Sequence, residues 1–300
     1  MIEGPQWLEE RRKGIGGSDV AAILGLSPWK TPFAVYQEKR REVADWNGNE
    51  ATDWGKRMEP AIRQWYSDTT GRIVRVPDKI MFHPVHTFML ASLDGLTDDE
   101  RIVEIKTARS ARGWGEPGTN EIPDYYLVQV MHYLAVTGFP VADLPVSIGG
   151  GSPELYEIPA DNELIEMIID AEGSFWRQVQ DGIPPAPVTY ADAVQRFGRS
   201  AAEGAVLASQ QDIMDVSTLR TIQSTKKALE AREEEIKGRL IISLGEKGST
   251  LVGPDDNPLI TYKLGNGRGS FDHKALERDM PEIFRKYSKP GEPQRRFLTK

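Results

Sequence analysis

Cysteine is absent from this chain of 300 residues. A disulfide framework, a thiolate nucleophile and a cysteine-held zinc or iron–sulfur centre are therefore excluded. The absence also fits a reducing compartment. Histidine is scarce: the residues at 83, 86, 132 and 273 lack the spacing of a zinc site. His83 and His86 flank a turn, which points to a structural role. No apolar run is long enough to span a bilayer and the start carries no secretory pattern, so a cytoplasmic protein away from membranes is expected. Basic residues are outnumbered, 37 against 45, for a net charge of −8. That sum argues mildly against a polyanion partner. It leaves room for local basic patches, and bound divalent ions reverse the field where they sit.

What is present is an ordinary globular composition, enough for one large domain or a domain with an appendage. The first stretch reads as a short helix bearing Trp7, Arg11 and Arg12, then a glycine turn, then a helix over Val20–Leu24 for which Ser18 or Asp19 is a plausible N-cap. Phe33–Arg40 reads as helix. So does Thr52–Tyr66, with Trp54, Met58, Ile62 and Trp65 at helical spacing; Pro60 predicts a kink, or a start near Glu59. Strand signals follow at Ile73–Val76, Ile80–Phe82, Phe88–Leu93 and Arg101–Ile105, the last two joined through Asp98-Asp99-Glu100. Tyr125–Val136 is a strong helix closed by Gly138. A hairpin is expected around Gly149-Gly150-Gly151, and an amphipathic helix over Asn162–Gln180.

Ile183-Pro184-Pro185-Ala186-Pro187 marks a boundary, which divides the chain into 1–185 and an appendage over 186–300. The appendage opens on a long charged helix, Leu219–Leu244. Its Ile222, Leu229 and Ile236 stand seven apart, but the intervening core positions hold Lys226 and Glu233, which supports a dimeric coiled coil poorly. A hairpin near Asp255-Asp256-Asn257 and a basic end (Arg285, Lys286, Lys289, Arg295, Arg296, Lys300) follow.

The chemistry-bearing pattern is Ser92-Leu93-Asp94-Gly95 followed by Val103-Glu104-Ile105-Lys106-Thr107, a D-x9-E-x-K spacing across two apolar runs. Alternate residues of a strand share a face, so Glu104 and Lys106 point together while Val103 and Ile105 face the core. Gly95 allows a sharp turn after Asp94, and antiparallel pairing brings Asp94 to Glu104. Two carboxylates and the Ile105 carbonyl offer oxygen ligands for Mg²⁺. Lys106 beside them could orient or deprotonate a water, or neutralise a phosphate. A solvated hairpin with a Glu–Lys pair would have the same short pattern, so support is needed elsewhere. Gln129 and Tyr133, one helical turn apart, supply it: the amide can hold a phosphate or a carboxylate, and the phenol can stack or donate. Gly14-Ile15-Gly16-Gly17-Ser18-Asp19 lacks the lysine of a P-loop, yet a glycine turn before a helix can seat an anion with Ser18 and an upstream arginine. Trp29, Trp114 and Tyr125 could stack on bases.

These pieces occur in a recognisable order: Arg-Arg-Lys-Gly-Ile-Gly-Gly-Ser-Asp, Trp-Gly-Lys-Arg-Met-Glu-Pro, Ser-Leu-Asp-Gly, Val-Glu-Ile-Lys-Thr and Gln-Val-Met-His-Tyr. Over roughly residues 5–180 the chain resembles the YqaJ-type viral recombinase family, which includes the phage lambda exonuclease. These belong to the PD-(D/E)xK nuclease superfamily, in the branch that holds the RecB-type nuclease domain. The resemblance implies an α/β fold with a restriction-endonuclease-like core, a central mixed β-sheet flanked by helices, and a C-terminal appendage of helix and β-hairpin.

By resemblance Asp94, Glu104 and the Ile105 carbonyl match the metal ligands, and Lys106 the catalytic lysine. Glu59 matches an acidic residue toward a second ion, and Gln129 the glutamine of the last motif. Arg11 and Ser18, seven apart, match the holders of the 5′-phosphate, with Arg12 as the alternative arginine, and Ser92 matches a further phosphate contact. Tyr133 joins this DNA-binding set. The doubled glycine departs from the lambda-like turn. The activity implied is a Mg²⁺-dependent exonuclease (Mn²⁺ also fits, two ions in all) that digests double-stranded DNA from a 5′ end and leaves a 3′ single strand for recombination. It would work with a single-strand annealing protein of the RecT or Bet type, as a homo-oligomeric ring such as a trimer. The rival readings are another nuclease of the superfamily, an endonuclease or single-strand exonuclease, and a non-catalytic DNA-binding or assembly protein.

Overall fold

The strand that carries Glu104 and Lys106 is interrupted between them, and the sheet around it explains why. In the computed structural model, which describes residues 5–43, 48–201, 203–267, 269–289, 291 and 293–299, the chain forms two compact units, Met1–Arg196 and Phe197–Lys300.

The first unit opens with α1 (Pro5–Arg11), β1 (Ile15–Gly16), α2 (Gly17–Ile23), α3 (Pro32–Lys39) and α4 (Glu50–Thr70). The strands β2 (Val74–Arg75), β3 (Met81–Phe82), β4 (Met89–Ala91), β5 (Gly95–Thr97), β6 (Arg101–Val103) and β7 (Lys106–Ala108) follow. Next come α5 (Asp124–Thr137), β8 (Val141–Ile148), β9 (Glu154–Pro159), α6 (Asn162–Asp181) and α7 (Tyr190–Phe197). The main sheet is mixed. β5 pairs antiparallel with β2 and β6, β8 pairs antiparallel with β9, and both β6 and β7 run parallel to β8. Val103 pairs with Asp143 and Lys106 with Val146, one register throughout, so β6 and β7 are collinear halves of a single strand. Ile105 lies opposite Pro145 in that register. Proline has no N–H to donate, and the ladder is interrupted there. A smaller sheet sets β4 between β1, parallel, and β3, antiparallel.

Helices cover both faces. Ile62 and Tyr66 of α4 bury against Val103 and Ile105 on one side. On the other, Ile102 and Leu144 pack with Val130 and Leu134 of α5 and Ile168 and Phe175 of α6. This alternation turns Glu104 and Lys106 toward α5. A buried polar cluster ties α4 to the sheet: Asp143, 1% exposed, accepts two bonds from Arg101 (2.8 and 2.9 Å) and one from the Tyr66 hydroxyl. Burial and that carboxylate push the Tyr66 phenol well above its ordinary range.

Local details differ from the sequence-based expectations in several places. α4 starts at Glu50, where Asn49 and Thr52 exchange hydrogen bonds (2.8 and 3.1 Å) as a cap, and it runs through Pro60. Gly16 is the N-cap of α2; Asp19, at the third helical position, accepts the Gly16 N–H at 3.2 Å. The glycine segment is not only a turn, because Ile15 and Gly16 form β1. Gly95 does not turn the chain either: it begins β5, and a Cβ there would lie 2.3 Å from Val74 Cγ1, so glycine serves the close approach of β2. The Asp98–Glu100 turn forms as expected, with Glu100 in the left-handed region at φ 59°.

In the second unit, α8 (Gln210–Leu244) starts nine residues earlier than its periodicity suggests, capped by Ser209 and Asp212. The hairpin of β10 (Thr250–Val252) and β11 (Pro258–Thr261) and the helices α9 (His273–Asp279) and α10 (Pro281–Tyr287) complete it. Arg285 and Lys286 close α10, while Lys300 lies outside the described residues.

Candidate active site

Asp94 directly precedes β5 and Glu104 directly follows β6. Extending the Gly95–Val103 pairing by one step sets them opposite each other. The Ile105 N–H donates to Asp94 Oδ2 at 2.9 Å and fixes that carboxylate. The side chain of Glu104 is 4% exposed. Its Oε1 accepts from Lys106 Nζ at 2.6 Å and from Gln129 Nε2 at 2.8 Å. Gln129 Oε1 in turn accepts from Lys106 Nζ at 3.1 Å, and Gln129 Nε2 donates to the Tyr133 hydroxyl at 3.1 Å. Glu104, Lys106, Gln129 and Tyr133 thus form one hydrogen-bonded array between the sheet and α5, and the Ile105 N–H holds Asp94 beside it.

The electrostatics follow from burial. Desolvation and the nearby Asp94 carboxylate push the Glu104 carboxyl up to about 8. Burial also raises Asp94, against the opposing pull of Lys106. Burial works against the Lys106 ammonium, but Glu104 and Asp94 hold its pKa above the ordinary lysine value. The Tyr126 ring, 4.9 Å from Nζ, adds a cation–π contact. Among the described residues Glu104 Oε2 is one of two buried side-chain oxygens without a hydrogen-bond partner. An anionic oxygen left unsatisfied in a buried acidic pair is costly unless a cation reaches it. With two carboxylates and a backbone carbonyl close by, the donor set suits a hard divalent ion.

Glu59 lies near enough for its charge to help raise the Glu104 carboxyl. It lies on α4, whose Ile62 and Tyr66 pack on the Val103–Ile105 face, and its Oε1 accepts from Arg63 at 2.6 Å. Arg63 Nε also donates to the Asp94 carbonyl at 3.1 Å, an indirect link to the site. Among the described residues, no three His, Asp or Glu side chains are gathered as a metal-holding group.

The expected phosphate residues form a second cluster. The Arg11 guanidinium donates to Ser18 Oγ, lies 5.0 Å above the Trp7 ring and pairs with Asp19 at 3.4 Å. Trp7 Nε1 reaches Ser92 Oγ at 3.5 Å, which brings Arg11, Ser18 and Ser92 into one neighbourhood. Arg12 bonds Glu9 at 2.9 Å instead. Asp19 is buried, which alone would raise its pKa; Lys39 (2.7 Å), Arg11 and Lys30 (3.7 Å) hold it well below the usual carboxylate range. The sequence singles out Asp19 only as a helix cap, and Lys39, Arg63 and Tyr126 not at all. Only Tyr126 had a visible signal, since 126, 129 and 133 share one face of α5.

Fold and site together define an α/β domain, a central mixed sheet flanked by helices, with two carboxylates, a lysine and a glutamine gathered beside α5. Residues 6–140 match the model of the YqaJ-like viral recombinase domain. That stretch, somewhat under half of the chain, is similar to the YqaJ-type viral recombinase domain. The chain is 42% identical over 186 residues to the uncharacterized protein YqaJ of Bacillus subtilis strain 168, covering 60% of this chain and 58% of that protein. A crystal structure of an alkaline exonuclease from Laribacter hongkongensis superposes with a TM-score of 0.50 at 21% identity, over 59% of this chain and 93% of that one. Its complex with dAMP matches equally well. At that identity the likeness speaks for the fold. No helix among the described residues is long and apolar enough to cross a membrane.

Proposed function

We propose that the protein is a metal-dependent 5′→3′ exonuclease on double-stranded DNA, with its nuclease domain over 1–185 and an appendage over 186–300. One observation carries the reading: Asp94, Glu104 and Lys106 converge beside Gln129, and Glu104 keeps a buried oxygen unsatisfied. Asp94, Glu104 and the Ile105 carbonyl would hold Mg²⁺, or Mn²⁺ in its place, with Glu59 toward a second ion. A bound divalent cation supplies Lewis-acid stabilisation of phosphate charge and lowers the pKa of water.

The protein's own side chains have distinct tasks. Lys106, kept as an ammonium by its two carboxylates, stabilises negative charge on the phosphate and orients the attacking water. Gln129 fixes Lys106 and Glu104 relative to each other, and Tyr133 fixes Gln129. Arg11, Ser18 and Ser92 bind a 5′-terminal phosphate, with Arg12 as the reserve cation. The exposed Trp29, edge-on to Tyr125 at 5.0 Å, offers a base a stacking surface. The product is a 3′ single strand suited to an annealing protein of the RecT or Bet type. A homo-oligomeric ring such as a trimer would keep the enzyme on its strand, since only the channel of an acidic protein need be basic. The alkaline exonuclease whose fold matches binds dAMP, in keeping with mononucleotide release here.

The test is digestion of linear against covalently closed circular duplex, with Lys106→Ala as control. The expected result is nucleotide release from linear DNA alone, lowered about a thousandfold by Lys106→Ala with DNA binding retained. Cleavage of the circle would favour an endonuclease. No Mg²⁺-dependent release from either would favour the non-catalytic reading.

A further inference from the structure

Two buried groups of the first unit take no part in the chemistry above. His132 and Glu172 are fully buried. His132 Nδ1 lies 2.7 Å from Glu172 Oε1 on α6, and Nε2 donates to the Leu90 carbonyl of β4 at 2.9 Å. Glu172 Oε2 is the second buried side-chain oxygen without a partner among the described residues. An apolar pair of similar volume would fill this space at lower cost. A polar group that burdens stability next to a site points to a task there.

Its place defines the task. On α5, Gln129 and Tyr133 belong to the array around Glu104, while His132, in the same helical turn, joins α5 to β4. β4 runs on through Ser92 to Asp94. Ser92 belongs to the phosphate cluster, through Trp7 and Arg11, and Asp94 to the hydrolytic one. The bond to Leu90 therefore ties the helix of the hydrolytic array to the strand of the phosphate cluster, two residues before Ser92. Glu172 braces the ring from a third element, α6, and keeps it aimed at Leu90. Resting on the exonuclease function proposed above, we infer that His132, braced by Glu172, is a positioning residue that sets the span between the seat of the 5′-phosphate and the bond that is cut. That span fixes the length of the product at one nucleotide. A looser span admits a second nucleotide, and seats an end without phosphate nearly as well as one with it.

The test reads product length and end preference, which a loss of stability alone does not move. Linear duplexes with 5′-phosphate or 5′-hydroxyl are digested with Mg²⁺ by the parent, His132→Leu, His132→Gln and Glu172→Gln, below the melting temperature of each. The parent should release mononucleotides and prefer the phosphorylated end. His132→Leu should release dinucleotides beside mononucleotides and lose about tenfold of that preference. His132→Gln, whose amide nitrogen can still reach the Leu90 carbonyl, should restore both. The isosteric Glu172→Gln should lower the preference about threefold, and it decides alone if His132→Leu does not fold. Mononucleotides only, with the preference intact and both rates lowered equally, would make the pair structural and overturn the inference. A parent that releases nothing, or that prefers neither end, would instead overturn the function proposed above and this inference with it.

Discussion

Gly17 and Tyr133 meet so closely that no other residue fits at position 17: an added Cβ would lie 2.5 Å from Tyr133 Cε1 and 2.7 Å from Cζ. The ring is buried and its hydroxyl is held by Gln129, so it has nowhere to retreat. Gly17→Ala should therefore destabilise the protein by about 1–3 kcal/mol and lower cleavage through the displaced Gln129. In a Tyr133→Leu background the same substitution should be milder. Thermal melts of the four proteins in a double-mutant cycle check this, and additive effects would contradict it.

The raised Glu104 carboxyl gives metal binding a pH dependence. An ion needs the carboxylate deprotonated, and burial with Asp94 keeps the proton on to about 8. Without metal, the folded state holds this proton between the ordinary value of 4.5 and about 8 while the unfolded state releases it, so stability falls as pH rises through that window. Affinity for Mg²⁺ should climb with pH and level off above 8, and the melting-temperature gain from Mg²⁺ should be larger at pH 8 than at pH 6. Calorimetric titration at pH 6, 7 and 8 measures it. An affinity indifferent to pH would contradict the assignment of Glu104.

His132 is a buried tie rather than a ligand. Its Nε2 bonds the Leu90 carbonyl at 2.9 Å, an acceptor only, so Nε2 carries a proton; Nδ1 lies 2.7 Å from Glu172 Oε1. The bond links α5, α6 and the strand that leads to Ser92 and Asp94. Burial works against a charged ring, but Glu172 keeps the His132 pKa above its ordinary 6.5. A raised pKa contributes stability that is complete below about 6.5 and disappears as pH rises through the folded-state value. His132→Asn should cost about 3 kcal/mol or more at pH 6, and clearly less at pH 9. Denaturant melts at the two pH values decide, and a constant difference would contradict the charged pair.

Much of the site was legible in the sequence for a local reason. Period-two alternation put Glu104 and Lys106 on one face, and a helical turn separates Gln129 from Tyr133; both survive in the structure. What stayed hidden depends on distant residues. The interruption at Ile105 comes from Pro145 on another strand. β1 is two residues long and exists only because β4 lies beside it. The partner of His132 is forty residues away on α6, and the pairing of Glu59 with Arg63 near the carboxylate pair is visible only once α4 is seen to run through Pro60.

On the proposed function, the Arg11 cluster would make cleavage sensitive to the chemistry of the DNA end. Arg11 already holds Ser18 and Asp19, and a terminal phosphate would compete with Asp19 for the guanidinium. A duplex with 5′-phosphate should be digested at least tenfold faster than one with 5′-hydroxyl, and Arg11→Ala should abolish the preference while leaving Asp94, Glu104 and Lys106 intact. Initial rates on the two substrates test it. Equal rates on both in the parent protein would reject the pocket.

The central claim is that Asp94, Glu104 and Lys106 hydrolyse DNA from a 5′ end. Its most direct measurement is the time course of nucleotide release from linear duplexes labelled at the 5′ or the 3′ terminus, with Mg²⁺ and with chelator. The account predicts early release of the 5′ label as mononucleotide, late release of the 3′ label, and neither with chelator or in Asp94→Asn. Release that persists in Asp94→Asn, or that begins at the 3′ label, would contradict it.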